Sequence, residues 1–370
     1  MKIAINLMRF KDKSSGGNFV YAKNTIKSLV KILDENSIKI FCQYREITED
    51  LFDLKEFSKI EYITVKGKNS FFDMHFFLSK LCYFNNIDIF FSPSHLLPFI
   101  KPKCKTMVTV HDLNFKHFSQ GIFKDIYKNI IYKHTIDNAD RIIAISEFTK
   151  NDILKNYKVN PNNIKVIYNG VDSVLLNDEN KNTYGNYLLS IAHHKHKNPD
   201  FLIDVIATNK ILFDDLKLRI IFVGLKQDAM NLLINKAKTL KVNDYCIFLG
   251  YIDEEKLNYL YKNALVFLFP SKFEGFGIPV IEAMNSGCPV ISSAEGALPE
   301  VIKDAGLVIK EFNEEIWGKA ILSLIKNKKL RYEIIKKGIK CAEFYNWEKC
   351  SIKLLNAMKE LYNEDISYRS

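Results

Sequence analysis

Two glutamates, Glu274 and Glu282, stand eight positions apart in LVFLFPSKFEGFGIPVIEAMNSGCPVISSAEGALPEVIKDAG, residues 265–306. Each carboxylate can accept two hydroxyl hydrogen bonds. Gly275 and Gly277 let the backbone come close to a ligand. Pro279 suits the first turn of a helix and Gly287 the position just past its end. The amides of Phe276, Gly277 and Ile278 would then point from a helix N-terminus, a natural seat for phosphate or sugar oxygens. Two glutamates at this spacing are common by chance, as a solvated loop acid and an ordinary helix residue. The glycines, the proline and the preceding apolar strand set this pair apart.

Three other groups offer chemistry. His111 and Asp112 end the run TMVTVHD. An imidazole can donate to a hydroxyl and titrates near neutrality, although a lone histidine is more often a packed or capping side chain. The segment IAHHKHKNPD gathers His193, His194, Lys195, His196 and Lys197, followed by Asn198 as a helix N-cap and Pro199 at the first helical position. A metal site there lacks any carboxylate or cysteine ligand within the run, and no metal or other cofactor is expected. Gly16 and Gly17 lie between the first strand and the first helix, as a flexible turn or a phosphate-facing loop.

These residues need elements to hold them. In the first half, apolar runs predict strands at Lys2–Leu7, Ile38–Cys42, Ile87–Phe91, Thr106–His111, Arg141–Ile145 and Ile164–Tyr168. They are nearly continuous in apolar residues, as strands covered on both faces should be. Ala22, Ile26, Leu29, Val30 and Leu33 fall on one face of a helix, and Ser146 stands where an N-cap would. The pattern restarts with Tyr187–Ala192, Leu218–Gly224, Cys246–Gly250, Leu265–Pro270, Cys288–Ser292 and Leu307–Lys310. Strand–helix alternation predicts parallel, doubly wound α/β sheets. The expected domains are 1–178 and 186–345, with the polar stretch Asp172–Asn186 as linker and hinge. The final helix, 346–370, is expected to pack back on the first domain. Asn169–Gly170–Val171–Asp172 reads as turn chemistry.

The 370 residues suffice for two domains. Hydrophobic residues make up 47% and charged residues 26%, the balance of a globular protein. The net charge of +10 is spread over both halves, without the concentrated footprint that nucleic-acid binding needs. Seven scattered cysteines form no C-x-x-C pair, which argues against a disulfide framework and fits a reducing compartment. The polar run KDKSSGGN follows the first strand too soon for a secretory signal, and no apolar segment is long enough to span a bilayer. The protein is expected to stay in the cytoplasm. The aromatic segment Phe71–Phe84, with Lys66, Lys68 and Lys80, is a candidate for peripheral contact with the inner face of a membrane.

The stretch around Glu274 and Glu282 resembles the E-x7-E signature of retaining glycosyltransferases of the GT-B fold, specifically family 4, the group 1 glycosyl transferases. The resemblance implies two tandem Rossmann-like domains facing across a cleft, with Glu274 holding donor-sugar hydroxyls and Glu282 the ribose hydroxyls. Gly16 and Gly17 match the family's glycine-rich loop near the donor phosphates, and His111 the histidine that reaches the donor sugar near the reacting carbon. Lys197 falls on the lysine that neutralises the donor diphosphate. The base pocket is expected around Gly250, Tyr251 and Ile252, near Gly224. Glu300, in GALPEVIKDAG, matches a recurrent segment but reads first as a helix-start acid. Implied are a nucleotide-sugar donor, a glycan or lipid-linked acceptor, retention without a metal ion, and a part in O-antigen, capsule or lipopolysaccharide synthesis. The His196–Lys197–Asn198 triplet resembles members that handle GDP-mannose.

The pattern breaks before Lys197. No arginine precedes it, and Ile191 occupies the family's glycine position. His193 or His196, charged beside a diphosphate, would stand in for that arginine and tighten donor binding at mildly acidic pH. The gap keeps open a pseudoenzyme serving as partner subunit, and the architecture alone also suits a sugar-nucleotide epimerase.

Overall fold

The structure, a computed structural model, describes residues 1–10, 12, 16–33, 37–65, 72–119, 121–172, 184–193 and 195–369. The chain divides into two compact units, Met1–Gly170 with Asn346–Ser370, and Val171–Tyr345. Residues 173–183 of the expected linker lie outside the described residues.

Among the described residues the first unit holds a seven-stranded sheet: β1 (Ile3–Asn6), β2 (Ile38–Cys42), β3 (Glu61–Thr64), β4 (Ile89–Ser92), β5 (Lys105–Val110), β6 (Arg141–Ala144) and β7 (Ile164–Val166). Their order is β3-β2-β1-β4-β5-β6-β7, and every pairing is parallel. Alternate residues feed opposite faces: Ile3 and Ile5 enter one apolar cluster, Ala4 another. That two-sided burial is why β1, β4 and β6 read as nearly continuous apolar runs, broken only by Asn6, Ser92 and Arg141 at their ends. β3 was not anticipated. It is an edge strand with exposed ends, so Glu61–Thr64 carries no such run.

The second unit repeats the plan with β8 (Tyr187–Ile191), β9 (Arg219–Val223), β10 (Cys246–Phe248), β11 (Val266–Phe269), β12 (Val290–Ser293) and β13 (Leu307–Ile309). The order is β10-β9-β8-β11-β12-β13, again parallel throughout. In both units the first strand lies inside the sheet, and the order reverses beside it. Ligands of such sheets bind beyond the carboxyl ends of the strands at that reversal. The two places are therefore the ends of β1 and β4, and of β8 and β11.

The helix Gly17–Ile32 buries Ala22, Ile26, Leu29 and Val30. Ser146 caps its helix by accepting from the Thr149 amide at 3.0 Å. The final helix, Trp347–Arg369, belongs to the first unit. Its Trp347 ring lies 6.2 Å from Tyr21, and Ser351 Oγ donates to the Thr25 carbonyl at 3.1 Å. The seven cysteines are free thiols. Among the described residues, no helix is long and apolar enough to cross a membrane.

Candidate active site

Beyond β8 the chain makes one turn of 3-10 helix, Lys195–Lys197, and enters the helix Pro199–Thr208. Asn198 occupies the N-cap position but makes no side-chain cap bond. Its backbone is left-handed (φ 57°, ψ 43°), whereas a capping side chain works from an extended one. The His196 carbonyl accepts from Ser271 Oγ at 3.2 Å and from the Lys272 amide at 2.7 Å. These bonds fasten the turn after β8 to the segment after β11.

That fastening brings Lys197 to Glu274. Lys197 Nζ donates to Glu274 Oε1 at 2.6 Å and sits 4.7 Å from the centre of the Phe269 ring. The lysine is 5% exposed and the glutamate 8%, so the pair is largely withdrawn from water. It occupies the end of the two strands where the sheet order reverses. Removing one partner of such a pair leaves an uncompensated buried charge, at a cost of about 3–5 kcal/mol.

Two glycines shape the Glu274 loop. Gly296 has φ +63°, and a Cβ there would lie 2.3 Å from the Glu274 carbonyl oxygen. That carbonyl accepts from the Ala297 amide at 2.9 Å. Gly277, at φ +98°, opens the helix Ile278–Asn285, and a Cβ on it would lie 2.7 Å from Leu298 Cδ2. Pro279 follows in the first turn, and no side chain caps this start. The Phe276 ring packs edge-on against Tyr345 at 5.4 Å, leaving its backbone as the part suited to a ligand.

Glu282 lies in the same helix, half-buried. Its Oε2 accepts from the Tyr261 hydroxyl at 3.0 Å. Burial pushes its carboxyl up to about 7, assisted by Glu254 and Asp172 and opposed by the Tyr261 hydrogen bond and by Lys197. Around the expected base pocket, the Gly224 amide donates to the Gly250 carbonyl at 3.0 Å, and His193 backs onto Gly224. Tyr251 is 86% exposed. His193 and His196 are half-buried, and His194 lies outside the described residues. Among the described residues, no three His, Cys, Asp or Glu side chains are grouped to hold a metal ion.

The remaining candidates belong to the first unit. Gly16 occupies the N-cap of the helix that Gly17 begins, with φ 53° and ψ −131°. His111, just past β5, is buried, with its ring edge-on to Tyr21 at 4.9 Å. Its Nε2 lies 3.0 Å from the Pro93 carbonyl, which only accepts, so Nε2 carries the proton. Burial pushes the His111 pKa down to about 4. The expected proton handling near neutrality is corrected accordingly. The ring is neutral at pH 7, its donor nitrogen is engaged, and what it offers a ligand is the Nδ1 acceptor.

Two residues of this site carry no motif in the sequence: Tyr261 sits in the ordinary helical stretch EEKLNYLYKN, and Gly296 in the segment that also holds Glu300.

Comparison with known proteins identifies the class. Two family models match in tandem, "Glycosyltransferase Family 4" over residues 16–174 and "Glycosyl transferases group 1" over residues 172–341. The O-antigen chain mannosyltransferase RfbU of Salmonella typhimurium is 27% identical over 333 residues, 86% of this chain and 90% of that protein. The O-antigen chain mannosyltransferase B of Escherichia coli is 40% identical over 114 residues, 31% of this chain and 30% of that one. Among solved structures, Anabaena HepE in complex with UDP-glucose superposes with a TM-score of 0.77 at 16% identity, covering 97% of this chain and all of that one. The fold is that of the GT-B glycosyltransferases, and the chain is a glycosyltransferase. It belongs to family 4, the group 1 glycosyl transferases.

Proposed function

We propose that this glycosyltransferase moves mannose or a related sugar from a nucleoside-diphosphate donor to a glycan or lipid-linked acceptor in bacterial surface polysaccharide synthesis. GDP-mannose is the favoured donor, transfer retains the anomeric configuration, and no metal ion takes part. The observation that carries this reading is the buried Lys197–Glu274 pair at the carboxyl ends of β8 and β11. The names of the Salmonella and Escherichia coli relatives support the sugar and the pathway.

In this reading Lys197 gives up Glu274 for the donor diphosphate, and Glu274 turns to the hydroxyls of the sugar. Glu282, ionised, accepts from the ribose hydroxyls. The amides of Phe276, Gly277 and Ile278 and the Gly16–Gly17 loop add donors for oxygens of the donor. The bond from the anomeric carbon to the β-phosphate oxygen breaks as the acceptor hydroxyl oxygen bonds to the same face. The hydroxyl proton passes to a β-phosphate oxygen. His111 Nδ1 accepts a sugar hydroxyl near the reacting carbon. Gly250 and the backbone beside Tyr251 face the base.

Contact with an anionic membrane belongs to the same reading. The expected segment supports it only in part: Phe72, Phe77, Tyr83 and Phe84 are exposed, whereas Met74, His75, Leu78 and Cys82 are buried. Phe71, Lys66 and Lys68 lie outside the described residues. The helix Ile122–Asn138 offers a broader apolar face.

The test is nucleoside-diphosphate release from a panel of UDP-, GDP- and dTDP-sugars in EDTA, with Glu274→Gln and Lys197→Ala alongside and folding checked by circular dichroism. Release from GDP-mannose, reduced at least about a hundredfold in both folded variants, is expected from the loss of a buried charged contact. Silence across the panel, with no nucleotide binding, would assign the chain to a non-catalytic partner role.

A further inference from the structure

Every residue from Ile3 to Phe10 is buried except Arg9. The turn after β1 is pinned on both sides of it. The Leu7 amide donates to the Phe41 carbonyl at 2.9 Å, the Met8 amide to Asn6 Oδ1 at 3.2 Å, and the Phe10 amide to the Leu7 carbonyl at 3.0 Å. Phe10 is wedged against Phe19 and Phe52, with ring centroids 6.3 and 5.7 Å away. A guanidinium is thus held out from a rigid segment at the end of β1, beside β4, where the order of the first sheet reverses.

Its neighbours do not neutralise it. Arg9 Nη1 lies 3.5 Å from His95 Nδ1, and no ion pair joins Arg9 to a carboxylate among the described residues. The His95 ring is stacked on Tyr132 at 4.0 Å, and its carbonyl accepts from Thr135 Oγ1 at 2.8 Å. Burial first, then the charge of Arg9, holds that imidazole neutral, well below its ordinary pKa. Lys128 lies close enough for the Arg9 charge to act on it, with Asp112 and Asp125 as the acids on its side. The second unit, by contrast, matches its cation at the equivalent place, Lys197, with Glu274.

We infer that Arg9, positioned by His95, forms an anion subsite in the first unit that binds a phosphate or diphosphate group on the acceptor. A guanidinium suits this because its planar fork can hold two phosphate oxygens at once. The inference rests on the transferase reading, since it names the charge class of that reaction's second substrate.

The test separates the two. In the full-length Lys197→Ala protein, which removes the diphosphate partner of the second unit, titration calorimetry follows inorganic pyrophosphate. Arg9→Gln is expected to weaken it at least about tenfold, and Arg9→Lys by less, while Arg9→Gln with Lys197 intact binds GDP as the parent does. Farnesyl diphosphate bound more tightly than pyrophosphate, with the same dependence on Arg9, would identify a lipid carrier. Equal affinities would identify a phosphorylated sugar. Pyrophosphate binding indifferent to Arg9→Gln would overturn the inference and leave the transferase reading standing. GDP binding indifferent to Lys197→Ala would instead count against that reading.

Discussion

In the proposed reading, Glu282 is the residue whose protonation a donor must change. Its carboxyl is pushed up to about 7 by burial, from an ordinary value of 4.5. The folded state therefore holds this proton more tightly than the unfolded chain. The associated stability is complete below about pH 4.5 and is lost as pH rises through about 7. In that reading ligand binding runs the other way, because a carboxylate that accepts from both ribose hydroxyls must be ionised. GDP affinity measured by calorimetry should rise about tenfold from pH 6 to pH 8, the factor expected of a group that must first ionise. Tyr261→Phe removes the hydrogen bond that lowers this pKa and should move the midpoint higher. Substitution of the missing arginine by His193 or His196 predicts the opposite slope, with tighter binding in acid. One titration thus decides which side chain dominates the phosphate and ribose end of the site.

Among the elements, the helix Ile122–Asn138 has two faces of different character. Ile131, Tyr132, Thr135 and Ile136 are buried, while Ile122, Phe123, Ile126, Tyr127 and Ile130 are 52–89% exposed. The exposed five recur at i, i+1, i+4, i+5 and i+8, one continuous stripe. In the proposed membrane contact Lys124 and Lys128 would supply the attraction to an anionic bilayer surface, whereas Lys133 is paired with Asp137 at 2.6 Å. Sedimentation with vesicles containing phosphatidylglycerol should be strong, and weak with phosphatidylcholine alone. The double change Phe123→Ser, Ile126→Ser should lower vesicle affinity at least about tenfold, since each apolar side chain contributes roughly 1.5–3 kcal/mol when buried. Thermal stability should change little, because both residues are already in water. Unchanged sedimentation would move the contact to the Phe72–Phe84 segment or remove it.

For the whole molecule, the notable feature is that the chain returns to its first unit after completing the second. Trp347, Leu354, Leu355, Met358 and Leu361 of the final helix are buried in the core that contains β1 and β2. At roughly 1.5–3 kcal/mol for each side chain, their removal costs on the order of the stability of an entire domain. A chain truncated after Tyr345 should therefore lose protection from hydrogen exchange throughout β1–β7 while β8–β13 keep theirs. The second unit has a separate core built on Leu188, Phe222, Leu268 and Trp317. Uniform loss of protection would mean the two cores are not energetically independent.

The sequence by itself determined the two α/β sheets, because strands covered on both faces must be apolar along their whole length, and it marked Glu274, Glu282 and Lys197. It missed β3, whose exposed edge position demands no apolar run. Only the tertiary structure decided what those residues meet. Lys197 and Glu274 are 77 positions apart and become neighbours because β8 and β11 pair. The neutral state of His111, the raised carboxyl of Glu282 and the unmatched charge of Arg9 depend on burial and on partners contributed by distant strands and helices. Local periodicity records which way a side chain faces, and the packing of distant segments fixes its dielectric surroundings and its charge.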